Sequence, residues 1–482
     1  MILLILEQLQ AILEQWPGEA YFVGGCVRDL LLGRPLHDLD LVAAGDAPML
    51  ARAAARTFRA AFVLLDDENG IARVVLRGPD GDPGHTVDFA RMRGSNLLED
   101  LHARDLTINA MAMAPAAFWR FAREEMDRPE VIDPCGGQED LRAGLLRAVS
   151  PQSLYDDPLR SMRVVRFAGE LGFTVVPETA SWVRQAAALL ARVSWERIRD
   201  ELARLLACAH AAPYLPLLDT LGLLPHVLPE VAAGGDMPTL DHLWERVCAL
   251  EWLMAGLGDS PVQRRGDALW QPAALRAHPD LPLSMPYAAH LQRYLQERVA
   301  GDRTRGVLLK LAALLLPSGP APSDGTAARQ AGQRLRLSAR EAQALGTAVA
   351  LAASPLLRTP GRASPREIYR FYRDGGDMAL GMLLLALAED LAQAGPALQR
   401  DWWEARVQAI AQIVAARFER PADVVDPPRL VDGGELMRML GLPPGPLVGD
   451  LLEGIREAQA EGEVHNRDQA LAWARRALEG QG

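Results

Sequence analysis

The chain has 482 residues, room for two to four domains, and its 49% hydrophobic content supplies real cores, which excludes disordered and fibrous classes. A formal net charge of −11 argues mildly against nucleic acid, because phosphate neutralisation needs clustered Arg or Lys; local balance matters more, and residues 158–207 hold eight Arg against five acids. Cys26, Cys135, Cys208 and Cys248 form no C-x-x-C pair, so neither a disulfide framework nor a cysteine zinc site is indicated, and a reducing cytoplasm fits best.

The N-terminus, MILLILEQLQAILEQW, is apolar at helical spacing and carries Glu7 and Glu14, which reads as an amphipathic first helix rather than a leader. Residues 20–24 and 37–43 read as strands around a helix from Val27 to Leu32. Residues 71–77 and 85–92 read as a hairpin joined by the Gly/Pro-rich turn 78–84. The first 140 or so residues therefore form an α+β head, a small mixed sheet with helices. From 155 onward Leu and Ala recur at three- and four-residue spacing, the pattern of an all-α remainder. It is punctuated by a Pro/Gly-rich loop at 317–325 and by RPADVVDPPR at 420–429, which looks like a linker. No apolar run reaches the roughly 18 residues of a membrane span, and the Leu-rich stretch 378–388 is bounded by acids.

The chemistry concentrates in the head. In HDLDLV, Asp38 and Asp40 lie two apart on a strand, so both carboxylates emerge from one face about 7 Å apart while Leu39 and Leu41 face the core. Such a pair can share magnesium ions roughly 3.5–4 Å apart, which activate an attacking hydroxyl and stabilise a leaving pyrophosphate. D-x-D alone is common at solvated strand edges. Here it follows Gly24-Gly25-Cys26-Val27-Arg28-Asp29, a strand turning through two glycines into a helix, where backbone N–H groups can approach a phosphate and Arg28 can add a charge-assisted bond. Asp88, between Val87 and Phe89, is either a third acid or a hairpin-edge aspartate. Asp157, Arg160, Arg163 and Arg166 recur every three residues on an expected helix, with Pro158 tolerable in its first turn. That spiral is either a solvated, salt-bridged face or a base reader. A carboxylate only accepts and a guanidinium only donates, so the pair fits the amino group and ring acceptors of cytosine and adenine and rejects the carbonyl of guanine or uracil.

YFVGGCVRDLLLGRPLHDLDLV resembles the opening signature of the class II nucleotidyltransferase superfamily, the CCA-adding enzymes and bacterial poly(A) polymerases. The resemblance continues through ARDLTINAMA (103–112), DPCGGQEDLRAGLLRAV (133–149), DDPLRSMRVVRFA (156–168) and SWERIRDEL (194–202), and is dense over the first 205 residues. It implies that Asp38 and Asp40 hold Mg2+ and are catalytic. It also implies that Gly25, Arg28 and Arg104 bind nucleotide, that Asp157 and Arg160 read the base, and that Arg163 and Arg166 contact the nucleotide. Asp156 stands where the family more often has Glu. The implied partners are tRNA, CTP and ATP, with no membrane. The implied domains are a catalytic head (1–145), a base-recognition neck (146–207), a helical body (208–419) and a tRNA-contacting helical tail (430–482).

Within the body, 239–253 and 308–319 faintly resemble a metal-dependent phosphohydrolase domain, but Arg246, Leu316 and Pro317 stand where metal ligands are needed, so a shell without hydrolase chemistry is expected. The tail resembles the distal end of bacterial CCA-adding enzymes; packing alone explains it as well as tRNA contact does. Only GSNLLEDLHA separates Arg93 from Arg104, and LLEDL already leads into the next helix. Members that add the final A usually carry a longer flexible segment here, so the expected product is CC, with a partner enzyme adding the terminal A. A poly(A) polymerase and a non-catalytic RNA-binding helical protein are the alternatives.

Overall fold

The computed structural model describes residues 2–36, 38–76, 84–233, 239–257, 271–317, 324–352, 354–358 and 361–479. The expected turn at 78–84 and the loop at 317–325 fall largely outside them. The chain divides into one unit of residues 1–193 with 221–223 and a second of residues 194–220 with 224–482.

In the first unit, α1 (Ile2–Leu13) buries Ile5, Leu6 and Leu9 against α3 (Ala47–Phe58) and α5 (Pro115–Ala122). Asp46 starts α3 by accepting the Met49 N–H at 2.9 Å, and Arg59 ends it in the left-handed conformation. A six-stranded sheet runs in the order β3 (Ala61–Asp66), β4 (Ile71–Val75), β5 (Thr86–Arg91), β2 (Asp38–Ala43), β1 (Ala20–Val23), β6 (Ala112–Met113). Among the described residues of this sheet, β2 and β5 pair in parallel and the other pairs are antiparallel; the β2–β5 register sets Asp40 opposite Asp88. α2 (Gly25–Leu31) links β1 to β2, and α4 (Leu97–His102) follows β5. The strands and hairpin arms fall where alternation places them. The edge strand β3 has no alternation to betray it: Val63, Leu64 and Leu65 follow one another, and all three are exposed.

Residues 137–186 supply α6 (Gly137–Ala143), α7 (Pro151–Asp156), α8 (Arg160–Leu171) and α9 (Pro177–Ala186), with the two-residue strands β7 (Leu145–Leu146) and β8 (Thr174–Val175) paired in parallel. Asp157 is not on the helix that carries the three arginines. It sits between α7 and α8 with extended φ −138°, ψ 94°, because Pro158 crowds the helical conformation of the residue before it. Its carboxylate accepts the Leu159 N–H at 3.3 Å instead.

The second unit is almost wholly helical. The helices Leu240–Gly256, Arg305–Leu315 and Ala379–Ala394 pack on one another around Leu243, Leu250, Leu309 and Leu384. Arg246, fully buried, donates to the carbonyls of Ala313 at 2.8 Å and Leu316 at 2.9 Å and to Glu389, which His242 also contacts at 3.1 Å. A guanidinium, which cannot ligate a metal, thus stands where the resemblance needs a ligand, and its fork ties three helices together. The stretch Pro365–Ala397 is long and apolar enough on average to cross a membrane, but 61% of its apolar window is buried within the protein and Gly376, at φ 47°, breaks it into two helices. Residues 421–425 form a π-helical turn that buries Val424 and Val425, so the expected linker is packed structure. Leu436, Leu451, Ile455 and Leu471 give the tail its own apolar cluster, and one of its helices begins at Pro446.

Candidate active site

Strand β2 alternates as the sequence requires: Leu39 and Leu41 are buried, Asp38 is exposed and Asp40 half-buried. The turn from β1 into α2 lies against this face. Gly24 takes φ 71°, a conformation that favours glycine, and a Cβ there would crowd an Arg104 guanidinium nitrogen at 3.0 Å and touch Asp40 Oδ2 at 3.5 Å. A Cβ on Gly25 would meet Asp40 Oδ2 at 3.5 Å and Arg28 at 3.7 Å. One acid, two arginines and a bare backbone turn therefore converge, as the spacing of the motifs predicts.

The electrostatics follow from that crowding. Burial, reinforced by Asp88 and opposed by Arg104, pushes Asp40 up to about 6. A bound cation would relieve this cost. Cys26, fully enclosed beneath the strand, accepts the Asp40 N–H at 3.4 Å, and burial pushes its thiol up, so it serves as support and not as a nucleophile. Asp38 accepts the Thr86 hydroxyl at 2.7 Å. Asp88 is clasped by Arg73, both guanidinium contacts at 2.7 Å. Among the described residues no group of three or more His, Cys, Asp or Glu side chains is arranged to hold a metal.

A second cluster joins this one. Arg28, nearly buried, donates to both oxygens of Asp29 at 2.9 Å and to Asn109 Oδ1 at 2.8 Å. Asn109 donates to Asp105 Oδ1 at 3.2 Å, and Asp105 Oδ2 accepts Arg163 Nε at 2.7 Å. Burial would raise the Asp105 carboxyl, but the Arg163 charge and hydrogen bond, with the Leu106 N–H, hold it well below the usual carboxylate range. Phe167 packs against the guanidinium carbons of Arg28, Arg163 and Arg166 at 5.0, 5.4 and 4.1 Å. Arg160 donates to the carbonyls of Ala103 at 2.9 Å and Ser153 at 3.2 Å, Arg104 pairs with Asp100 at 2.9 Å, and Arg166 pairs with Glu170 at 2.9 Å. The arginines singled out in sequence are therefore braced by named partners, and Arg28 and Arg163 lie on one continuous hydrogen-bonded chain.

Asp105, Asn109, Phe167 and Arg73 carry no role in the sequence reading. The signal was present for two of them: Asp105 and Asn109 are spaced i, i+4 and lead into the apolar run Ala110–Met113, where buried polar groups need partners. Nothing local marks Arg73, whose place beside Asp88 depends on strand register.

Residues 20–147 match the family described as "Poly A polymerase head domain", residues 172–234 "Probable RNA and SrmB- binding site of polymerase A", and residues 324–474 "tRNA nucleotidyltransferase domain 2 putative". The chain is 32% identical to a CC-adding tRNA nucleotidyltransferase of Geobacter sulfurreducens, over 94% of this chain and 90% of that one. It is 33% identical to an A-adding tRNA nucleotidyltransferase of Deinococcus radiodurans, over 97% of each. In fold it is similar to the Thermotoga maritima CCA-adding enzyme complexed with tRNA, with a TM-score of 0.60 at 22% identity over 99% of this chain and 95% of that one.

Proposed function

This chain belongs to the tRNA nucleotidyltransferase family, and from that premise we propose that it extends the 3′ end of tRNA with nucleotides drawn from CTP and ATP, without a nucleic-acid template. The observation that carries the reading is the meeting of Asp40 with the Gly24–Gly25 turn, Arg28 and Arg104, with Asp38 two residues away on the same face of β2.

The donor set fits magnesium: two carboxylates from one strand face, one exposed and one whose burial disfavours a lone negative charge. Mg2+ held by Asp38 and Asp40 would activate the RNA 3′-hydroxyl and stabilise the leaving pyrophosphate. Around it, the Gly25 backbone and Arg28 receive phosphate oxygens, and Arg104 adds a second guanidinium to the same edge. Asp157 accepts from the exocyclic amino group of cytosine or adenine and Arg160 donates to the ring acceptors. Guanine and uracil would set a carbonyl against Asp157, at about 1–3 kcal/mol per unpaired group. Arg163 and Arg166, held by Asp105 and Glu170, complete the nucleotide pocket.

We assign the four segments 1–145, 146–207, 208–419 and 430–482 to head, neck, body and tail, the tail contacting tRNA far from the 3′ end, and place the reaction in a reducing cytoplasm. The product we favour is CC, with a second enzyme adding the terminal A. Residues 92–96 alone connect β5 to α4, and this connection is pinned: Glu99 accepts the Ser95 N–H at 2.8 Å and hydroxyl at 3.0 Å, while Asn96 caps the helix. A lever that reshapes the pocket for adenine after two cytidines has little chain to work with. The A-adding relative, aligned over 97% of this chain, favours the opposite division of labour. The test uses tRNA transcripts ending before, within and after CCA, each supplied with single nucleotides and read by mass spectrometry. Two cytidines and no more supports CC addition; a single A on a CC end supports the second reading; complete CCA overturns both. Long homopolymer tails would point to a poly(A) polymerase, and no incorporation at all would sink the enzyme reading.

A further inference from the structure

Asp88 lies one strand away from Asp40, directly opposite it in the parallel β2–β5 register, and one strand away from Arg73 on the other side, directly opposite it in the antiparallel β4–β5 register. Its carboxylate thus stands between an acid pair and a guanidinium. The structure shows which neighbour it serves: Arg73 Nε reaches Asp88 Oδ1 and a terminal nitrogen of Arg73 reaches Oδ2, both at 2.7 Å, the fork-on-fork geometry that holds a carboxylate most firmly. No comparable contact links Asp88 to Asp38 or Asp40, and the three acids do not form a metal-holding group among the described residues. Neither partner is deeply buried, the side chains being 41% and 24% exposed, so the clasp is reached by solvent and ions.

We propose that Arg73 is a positioning residue that holds Asp88 out of the metal set, so that the site works with Asp38 and Asp40 alone and binds its divalent cation weakly and exchangeably. This rests on the reading of Asp38 and Asp40 as metal-binding acids. Two effects of Arg73 act in the same direction. Its fork occupies both Asp88 oxygens, and its positive charge, held across β5 from β2, opposes any cation at the Asp38–Asp40 edge. Removing the guanidinium frees a third carboxylate and removes that opposing charge. At an effective dielectric near 20, one unit charge at this range changes cation affinity by about tenfold or more.

The test measures Mn2+ binding to the full chain by the loss of the free-ion electron paramagnetic resonance signal, with thermal unfolding as a check that each variant is folded. Arg73→Met, which keeps the apolar stem, should bind Mn2+ about tenfold more tightly than the wild type. Adding Asp88→Asn in the same chain should return affinity to near the wild-type value. Weaker or unchanged binding in folded Arg73→Met overturns the proposal and shows that the pair only buttresses the β4–β5 hairpin or aids ligation. The underlying reading is tested separately: if Asp38→Ala and Asp40→Ala leave wild-type Mn2+ binding intact, the metal assignment fails and this inference falls with it.

Discussion

Replacing Asp105 with Asn changes one carboxylate oxygen to an amide N–H2 without changing shape. Asn can still accept the Leu106 N–H and the Asn109 amide through Oδ1, but it faces Arg163 Nε with a donor. Breaking a buried ion pair from one side costs about 3–5 kcal/mol. Arg163 is 33% exposed and can rehydrate, so the cost falls below that range, to about 2 kcal/mol. For a unit of this size that is a fall in Tm of about 4–8 °C. Because the folded Asp105 carboxyl lies below its unfolded value, the pair's stabilisation is fully present above about pH 4 and is lost as the pH falls from there toward the folded value. Urea unfolding of wild type and Asp105→Asn, compared at pH 7 and in steps down to pH 3, should therefore give a gap that is constant at the upper end and narrows below about 4. In the same variant, loss of the Arg163 brace should raise the KM for nucleotide more than it lowers kcat. Equal stability at pH 7, or a gap that does not narrow in acid, would refute the claim that this ion pair holds the arginine in place.

Asp40→Asn should abolish nucleotide incorporation yet stabilise the metal-free protein at pH 7. The raised carboxyl favours folding when protonated, so the variant's advantage should be absent below about pH 4 and grow as the pH rises through about 6, as read by calorimetry in chelator. Retention of more than a small residue of activity in this variant or in Asp38→Ala would remove these acids from catalysis. Asp157→Ala should narrow the preference for CTP over UTP by roughly fivefold to a hundredfold, the equivalent of about 1–3 kcal/mol, in single-nucleotide incorporation; unchanged selectivity at a lower rate would make the segment structural. Arg246→Met leaves Glu389 without its buried guanidinium and should cost about 3 kcal/mol of stability in the helical body, with part recovered by adding Glu389→Gln; a loss with no recovery would mean that the carbonyl contacts to Ala313 and Leu316 dominate.

What the sequence determined by itself is local in origin. Alternation put Leu39 and Leu41 inward and both aspartates on the other face; the Gly24–Gly25 pair marked a turn whose first residue takes a positive φ; helical spacing marked the second unit. The resemblance supplied the family that the comparisons establish. What only the tertiary structure decided depends on residues distant in sequence. Strand register placed Asp88 between Asp40 and Arg73, fifteen positions away along the chain. The packing of α8 against the segment around Leu106 joined Arg28, Asn109, Asp105 and Arg163, residues spread over 135 positions, into one hydrogen-bonded path. Pro158 moved Asp157 off the helix that its spacing suggested, and Arg246 became the centre of a helical body rather than merely a missing ligand. Spacing fixes which face a side chain takes, because backbone geometry is periodic; which partner it meets is fixed by pairing and packing between elements, and no local pattern encodes that.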